Sequence, residues 1–327
     1  MGIKKGWLMD IVCLGEVLID MFPVETGRKL AAVTAFLPKP GGAPANVAVA
    51  SSKLGKRSAF IGKVGEDAFG HHLAEVLSNE GVDISGIRFA KHARTTMAFI
   101  AMPDEYSAEF VFYRNPGADL LLKTKELDLK LLQNTKAFHF GSLSLVADPA
   151  RSATLEAVKI AKTYDSLISF DVNYRPSLWD KAEDAVDQIW SMIPLVDSLK
   201  INEVELNLLA GDIDIEAACN MLLSKGPQLI VVTLGADGSH FHTRNTSGNV
   251  SAFHVETVDA TGCGDAFMSG LLSRLTEGES WHSHLNNGQL RKDFRFASAV
   301  GALTAEKKGV IPALPDQQQV IDFLRKQ

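Results

Sequence analysis

Cysteine is scarce: three residues in 327, Cys13, Cys219 and Cys263, lie far apart and form no CxxC pair. That excludes a disulfide framework and a Cys-rich zinc site, and it suits a reducing cytoplasm. No uninterrupted apolar run approaches about 18 residues, so no membrane-spanning helix and no membrane partner are expected. Positive charge is not in excess. The 33 Lys and Arg stand against 39 Asp and Glu, a formal net charge of −6, whereas a nucleic-acid binder needs a basic stripe. Pro/Ser-rich linkers, internal repeats and low-complexity tracts are absent, and the 46% apolar and 22% charged content excludes wholesale disorder. Length alone allows about two domains of ~150 residues or one larger α/β domain with an insertion. The N-terminus shows no address. Asp10 interrupts the apolar stretch after Lys4 and Lys5 with no small-residue cleavage site following, and Gly6 stands where a myristoylation motif needs Ser or Thr. The first nine residues read as a loose leader. Walker-A and HExxH motifs are also missing, and the dinucleotide fingerprint fails because Phe267 occupies its last glycine position.

What is present is an alternation of strand-like and helix-like segments. Apolar runs at 10–15, 58–65, 137–141, 166–172, 198–201 and 228–233 predict buried strands. Helices are expected over 66–80, from Asp148-Pro149 to about Thr163, from about Ala182 and from Glu203. Such alternation implies βαβ units, a mainly parallel central sheet and helices on both of its faces. Two stretches break the pattern. Residues 95–102 and 108–114 predict a hairpin turning at 103–107, and residues 17–37 lack a clear helix. The expected organisation is a single α/β domain over about 10–320, with a small β-sheet lid inserted as segments 17–37 and 92–116.

The strongest chemical signal is Val258-Asp-Ala-Thr-Gly-Cys-Gly-Asp-Ala-Phe267, a Gly-x-Gly segment leading into a helix. Its backbone N–H groups and helix N-terminus suit an anion, and Asp265 at that end would be kept ionised by the helix dipole. An anion hole beside a carboxylate fits phosphoryl transfer: the carboxylate takes a hydroxyl proton while the N–H groups stabilise the moving charge. Taken alone, Asp265 could equally be a helix cap. A second signal, Lys39-Pro-Gly-Gly-Ala-Pro-Ala-Asn46, allows close backbone approach at Gly41 and Gly42 and offers Asn46 as donor and acceptor; alone it is equally a loop entering a helix. Asp20, beyond a buried strand, is either a hydroxyl-binding carboxylate or a surface turn. Asn202 and Glu205, three apart at a helix start, could hold metal-bound water near phosphates or form a capping box. Thr233-Leu-Gly-Ala-Asp-Gly238 could admit a nucleotide or be an ordinary hairpin turn.

In this order, from Gly15 to about Pro315, these motifs resemble the ribokinase-like PfkB family of carbohydrate kinases. Gly41–Asn46 and Asp259–Asp265 match its two signature regions, the second written DTxGAGD in the family. Finer features resemble its fructokinase branch: Phe112-Tyr-Arg-Asn-Pro-Gly-Ala-Asp-Leu-Leu121, Phe140-Gly-Ser-Leu-Ser144 and Asp171-Val-Asn-Tyr-Arg-Pro-Ser-Leu-Trp179. The resemblance implies a ribokinase-like fold and an ATP-dependent kinase acting on the primary hydroxyl of fructose. Kinases of ribose, 2-keto-3-deoxygluconate or a nucleoside, and a non-catalytic sugar sensor, remain as alternatives. It implies Asp265 as base, with Gly262, Cys263 and Gly264 as the anion hole. Asp20, Gly41, Gly42, Asn46, Arg114, Asn115 and Arg175 would meet the sugar. Asn202, Glu205, Thr233, Gly235, Gly238 and the helix around Ala299 would serve the nucleotide. Mg²⁺ would be held indirectly, through water on Glu205. A monovalent cation such as K⁺ would sit at Asp259 and Thr261, with carbonyls between Thr304 and Ala313. A homodimer through the β lid is a further expectation. Ala260 and Cys263 depart from the family's commoner Thr and Ala; both are small, and Cys263 raises an expectation of sensitivity to thiol reagents.

Overall fold

A computed structural model gives the fold and describes residues 7–25, 27–101, 103 and 109–327. In chain order its strands are β1 (Met9–Leu14), β2 (Leu18–Pro23), β3 (Phe36–Gly41), β4 (Ser58–Gly65), β5 (Asp83–Ala90), β6 (Met97–Ala101), β7 (Glu109–Tyr113), β8 (Thr135–Gly141), β9 (Leu167–Asp171), β10 (Ser198–Asn202), β11 (Leu229–Thr233), β12 (Ser239–His242) and β13 (Ser247–Val250). Its helices are α1 (Ala43–Lys53), α2 (Ala68–Asn79), α3 (Leu129–Gln133), α4 (Ala150–Thr163), α5 (Ala182–Met192), α6 (Glu203–Ala210), α7 (Ile215–Leu223), α8 (Cys263–Leu275), α9 (Asn287–Ala305) and α10 (Gln317–Lys326).

Nine strands form one sheet in the order β13-β12-β11-β10-β9-β8-β1-β4-β5. From β11 to β5 every pairing is parallel, and β12 and β13 close one edge antiparallel. The reason lies in the sequence. Strands covered on both faces must be apolar throughout, and β1 sends Ile11 and Cys13 to one core layer, Val12 and Leu14 to the other. One layer contains residues of α1, α2, α8 and α9, and the other residues of α4, α5, α6 and α7. The predicted strands and helices are all present. β5, β12 and β13 were not predicted: Gly86 interrupts β5, and β12 and β13 are four residues each, rich in His, Ser and Asn.

The second sheet has the order β3-β2-β6-β7. The expected hairpin is the antiparallel pair β6–β7, though most of its turn, 104–107, lies outside the described residues. β2 pairs parallel with β6 and antiparallel with β3. This small sheet extends past the expected segment, because β3 runs on to Gly41. Helix α1 then starts at Ala43, earlier than the sequence suggested. Gly42 serves as its N-cap with φ 108° and Pro44 fits its first turn, so Asn46 sits on helix, not loop.

Candidate active site

The carboxyl ends of β1, β8, β9, β10 and β11 form one rim of the large sheet. β1 is the switch point, flanked by β8 on one side and β4 on the other. Crevices at such ends are where open α/β sheets bind ligands. The N-termini of two packed helices, α1 and α8, meet there. Six other helices start on an Asp or Asn side-chain cap, but α1 and α8 both start on glycine without one. A bridge joins them: Asn46 Nδ2 donates to Asp265 Oδ2 at 2.8 Å. Asn46 Oδ1 is buried with no protein partner, an acceptor left for a ligand hydroxyl.

Gly262 has φ 78°, and a Cβ there would lie 2.3 Å from Val310 Cγ1, so both backbone and space demand glycine. The N–H groups at the start of α8 precede any helical carbonyl they could bond. That of Cys263 turns back to Ala260 O at 3.3 Å, which leaves Gly262, Gly264 and Asp265 as the better donors to an anion. The Cys263 thiol is pushed up to about 12 by burial and by the Asp259 and Asp265 carboxylates. That shift disfavours the thiolate form of Cys263.

Asp20 and Asp265 face the same recess. Burial lifts Asp265 to about 6, Asp171 adding to the rise while Asn46, Lys200 and Arg175 oppose it. Burial, then the Asp265 charge, lift Asp20 to about 7, again against Arg175. Arg175 is thus within electrostatic reach of both carboxylates. Asp20 lies flat on the backbone of Gly41, where a Cβ would come within 1.9 Å of Oδ2. Both acids are half-buried, in a cleft open on one side.

Arg114 is more deeply placed than expected. Its guanidinium pairs with Asp119 and donates to Leu143 O at 2.9 Å, with Nη1 alone lacking a protein partner. Asn115 beside it is exposed. Behind them sits Glu16, which the sequence reading passed over. It is buried, its Oε1 accepts the Ala43 N–H at 3.1 Å, its Oε2 has no partner, and burial pushes its carboxyl up to about 7. Its signal was a lone acid after Gly15 in an otherwise apolar run.

On the other side of α8, Lys200 Nζ donates to Asp171 Oδ2 at 2.7 Å inside the protein. The same ammonium lies 3.5 Å from the Cβ position of Gly264. Despite its burial the Asp171 and Glu205 charges hold Lys200 above its usual pKa, and Asp171 Oδ1 has no partner. Neither residue was singled out from the sequence, although a Lys in a buried strand and an Asp at a parallel strand's carboxyl end were both visible. Asn202 and Glu205 form the capping box, at 2.8 Å both ways, and Glu205 also accepts the Tyr174 N–H at 2.7 Å. Glu205 therefore ties the Tyr174–Arg175 segment to α6, and burial raises its pKa.

The nucleotide-side expectations divide. Thr233 lies at the rim and Gly235 is exposed, with open space at its Cα. Gly238 lies in the β11–β12 turn and packs on β13, a Cβ there meeting Val250 O at 2.2 Å. Ala299, on α9, has its side chain fully buried in the core, so it offers no surface to a nucleotide. Gly301 is nearer the loop, its Cβ position 3.3 Å from Cys263 O.

Asp259 is buried and its carboxylate accepts N–H groups of Thr261 at 2.9 Å and Gly309 at 3.0 Å. Its own N–H and that of Val258 bond Ala305 O, so the 304–313 stretch does pass this carboxylate. No ion pair to Asp259 occurs among the described residues. A buried acid with only dipolar partners fits a bound monovalent cation.

The family model for "pfkB family carbohydrate kinase" matches residues 9–317. The chain is 46% identical over 328 residues to "Probable fructokinase-2" of Arabidopsis thaliana, covering all of this chain and 98% of that one. Among solved structures it is similar to a fructokinase with bound ATP from Xylella fastidiosa, at TM-score 0.90 and 33% identity over 99% of both chains. A double mutant of a fructokinase from Vibrio cholerae O395, in a form with fructose, ADP and potassium ion bound, aligns at TM-score 0.86 and 34% identity over 97% of this chain and 99% of that one.

Proposed function

This chain belongs to the pfkB family of carbohydrate kinases, and from that premise we propose that it transfers the terminal phosphoryl group of ATP to the primary hydroxyl of fructose, giving fructose 6-phosphate and ADP. The observation that carries the reading is the Asn46–Asp265 bridge between two uncapped helix N-termini, with Asp20 and Arg175 in the same recess. It supports a reading in which a sugar-hydroxyl site and an anion hole flank one carboxylate.

Asp265 takes the proton of the attacking hydroxyl, held in line by Asn46. The Gly262–Asp265 N–H groups, the α8 dipole and Lys200 stabilise the charge that grows on the transferring group. Positioning and charge neutralisation carry most of the rate, because the phosphoryl transition state is loose. Asp20 accepts sugar hydroxyls over the bare backbone of Gly41 and Gly42, and Asn46 Oδ1, Asn115, Arg175 and the free Nη1 of Arg114 complete that wall. Thr233 and Gly235 border the nucleotide.

Mg²⁺ arriving with ATP supplies neutralisation of phosphate charge. Asp171 Oδ1, buried and unpartnered at the carboxyl end of β9, would be the candidate to receive a water of that ion, since both Glu205 oxygens are taken by backbone. A monovalent cation would be held by Asp259 and Thr261 and the 304–313 carbonyls, and would order the anion-hole loop. The whole chain acts as a single kinase domain, its small sheet serving as a lid that excludes water. Leu37, Val111 and Tyr113 on that sheet are exposed, so two copies pair through it; sedimentation of the Tyr113→Lys variant as monomer against a wild-type dimer is the check. The three free cysteines fit a reducing compartment such as the cytoplasm.

Phosphorus–proton correlation NMR of the product tests the reaction. Phosphate coupled to the C6 methylene protons supports it, and phosphate on C1 contradicts it. Two further outcomes follow from the site. Because the Asp265 carboxyl is raised to about 6, its base form is lost as pH falls. In the free enzyme kcat/KM is expected to fall about tenfold per unit between pH 7 and 6, where Asp20 protonates, and about a hundredfold per unit below pH 6, where Asp265 protonates as well. A profile flat from pH 8 to 5 would remove Asp265 from the role. Asp20→Asn keeps the shape but loses the anionic acceptor, so KM for fructose should rise about tenfold or more while KM for ATP stays put, the cost of one charged hydrogen bond.

A further inference from the structure

The antiparallel edge of the large sheet carries a cluster that sugar and phosphate chemistry does not use. β12 places His240 and His242, two residues apart, on one face, and α7 packs Cys219 against them. All three are buried, and their ligand atoms lie within 4.8 Å of one another. One turn before Cys219, Glu216 brings Oε2 to 3.4 Å from His242 Nδ1.

The imidazoles are oriented from outside. His240 Nδ1 lies 2.7 Å from Asn249 Oδ1, and His242 Nε2 lies 3.2 Å from Asn220 Oδ1. An amide oxygen only accepts, so those outer nitrogens carry the hydrogens. The inner nitrogens, His240 Nε2 and His242 Nδ1, are then bare lone pairs in the neutral rings, and they face each other at 3.4 Å. Two lone pairs so placed repel, and a cation between them converts the repulsion into bonding. A proton is a poor candidate, because 3.4 Å is longer than an ordinary hydrogen bond between two ring nitrogens. A metal fits better. Two nitrogens about 2.0–2.1 Å from a tetrahedral zinc are themselves about 3.4 Å apart. Holding each ligating histidine by its other nitrogen is how such ligands are oriented.

We propose that Cys219, His240 and His242 bind a zinc ion, with the fourth position filled by water or by the Glu216 carboxylate swung in from its place beside His242. Thiolate and imidazole ligands select zinc over the hard ions that accompany phosphates. Binding replaces the Cys219 S–H bond by a Zn–S bond and releases that proton to solvent. Because the thiol must lose that proton to bind, affinity rises with pH. All three ligands are buried and belong to no part of the sugar or phosphate recess, so the ion is structural. It fastens α7 to β12, the strand that follows the exposed Gly235 turn. The scarcity of cysteine does not exclude a site that needs only one thiol.

Cobalt(II) is the probe. Full-length protein stripped with chelator and titrated with Co²⁺ is expected to develop a thiolate-to-cobalt charge-transfer band and tetrahedral ligand-field bands. These should saturate at one equivalent and be discharged by Zn²⁺, and zinc should raise Tm by several degrees. Cys219→Ser should lose the charge-transfer band while phosphorylating fructose within about twofold of wild type. His242→Gln, with its thiol intact, should bind cobalt at least tenfold more weakly. No charge-transfer band in the wild type at saturating cobalt, or an undiminished band in Cys219→Ser, overturns the proposal.

Discussion

Asp265→Asn is expected to lower kcat with fructose by about 10²–10⁴-fold, the range for losing a positioned general base. KM for the sugar should change little. The substitution is nearly isosteric and retains an oxygen to accept the Asn46 bond, so the loss reports chemistry and not collapse. The same variant should melt higher than wild type at pH 8. Burial has raised the carboxyl from 3.8 to about 6, so the folded state prefers it protonated. Its favourable contribution to stability is full below the unfolded value and gone as pH rises through about 6. At pH 8 the buried charge is a burden, and removing it should gain about 1–3 kcal/mol, a few degrees in Tm. Activity falling while stability rises is the mark of a site strained for its work. A kcat within a few-fold of wild type would assign the base elsewhere.

Gly262→Ala is the second large effect. The residue sits at φ 78°, and its Cβ would enter Val310 at 2.3 Å. Either the loop moves or Val310 does, and the N–H groups leave the line they hold at the start of α8. Loss of an oxyanion-type donor costs about 10²–10³ in kcat. The expected split is a falling kcat with an almost unchanged sugar KM, because Asp20 and Asn46 lie across the cleft. Gly235→Ala is the control. Its φ of 58° is mildly strained, but its Cβ meets open space, so it should cost less than tenfold. Equal losses in the two variants would mean that strain, not the anion hole, is being read.

Much of this was legible in the sequence, for reasons that differ by element. Parallel strands buried on both faces must be continuously apolar, which made β1, β4, β8, β9 and β11 plain. Gly262, Gly264 and Asp265 were legible because the chemistry needs contiguous residues. What was hidden depended on register and packing. β12 shows only Ser-His-Phe-His, and its pairing with β11 and its contact with α7 come from the tertiary fold. Glu16 and Lys200 looked like interruptions of apolar strands, and their meaning appears only when Ala43 and Asp171 are placed against them. Ala299 is buried in the core, and which residues of α9 are left on its surface follows from how α9 packs on α8.

The most direct test of the central claim is ADP release from Mg·ATP with fructose, glucose, mannose, ribose, 2-keto-3-deoxygluconate and adenosine, each with and without K⁺. The account predicts a kcat/KM for fructose at least tenfold above every other acceptor, stimulated by K⁺ and abolished in Asp265→Asn. A different preferred acceptor, or turnover of fructose that survives loss of the Asp265 carboxylate, would contradict it.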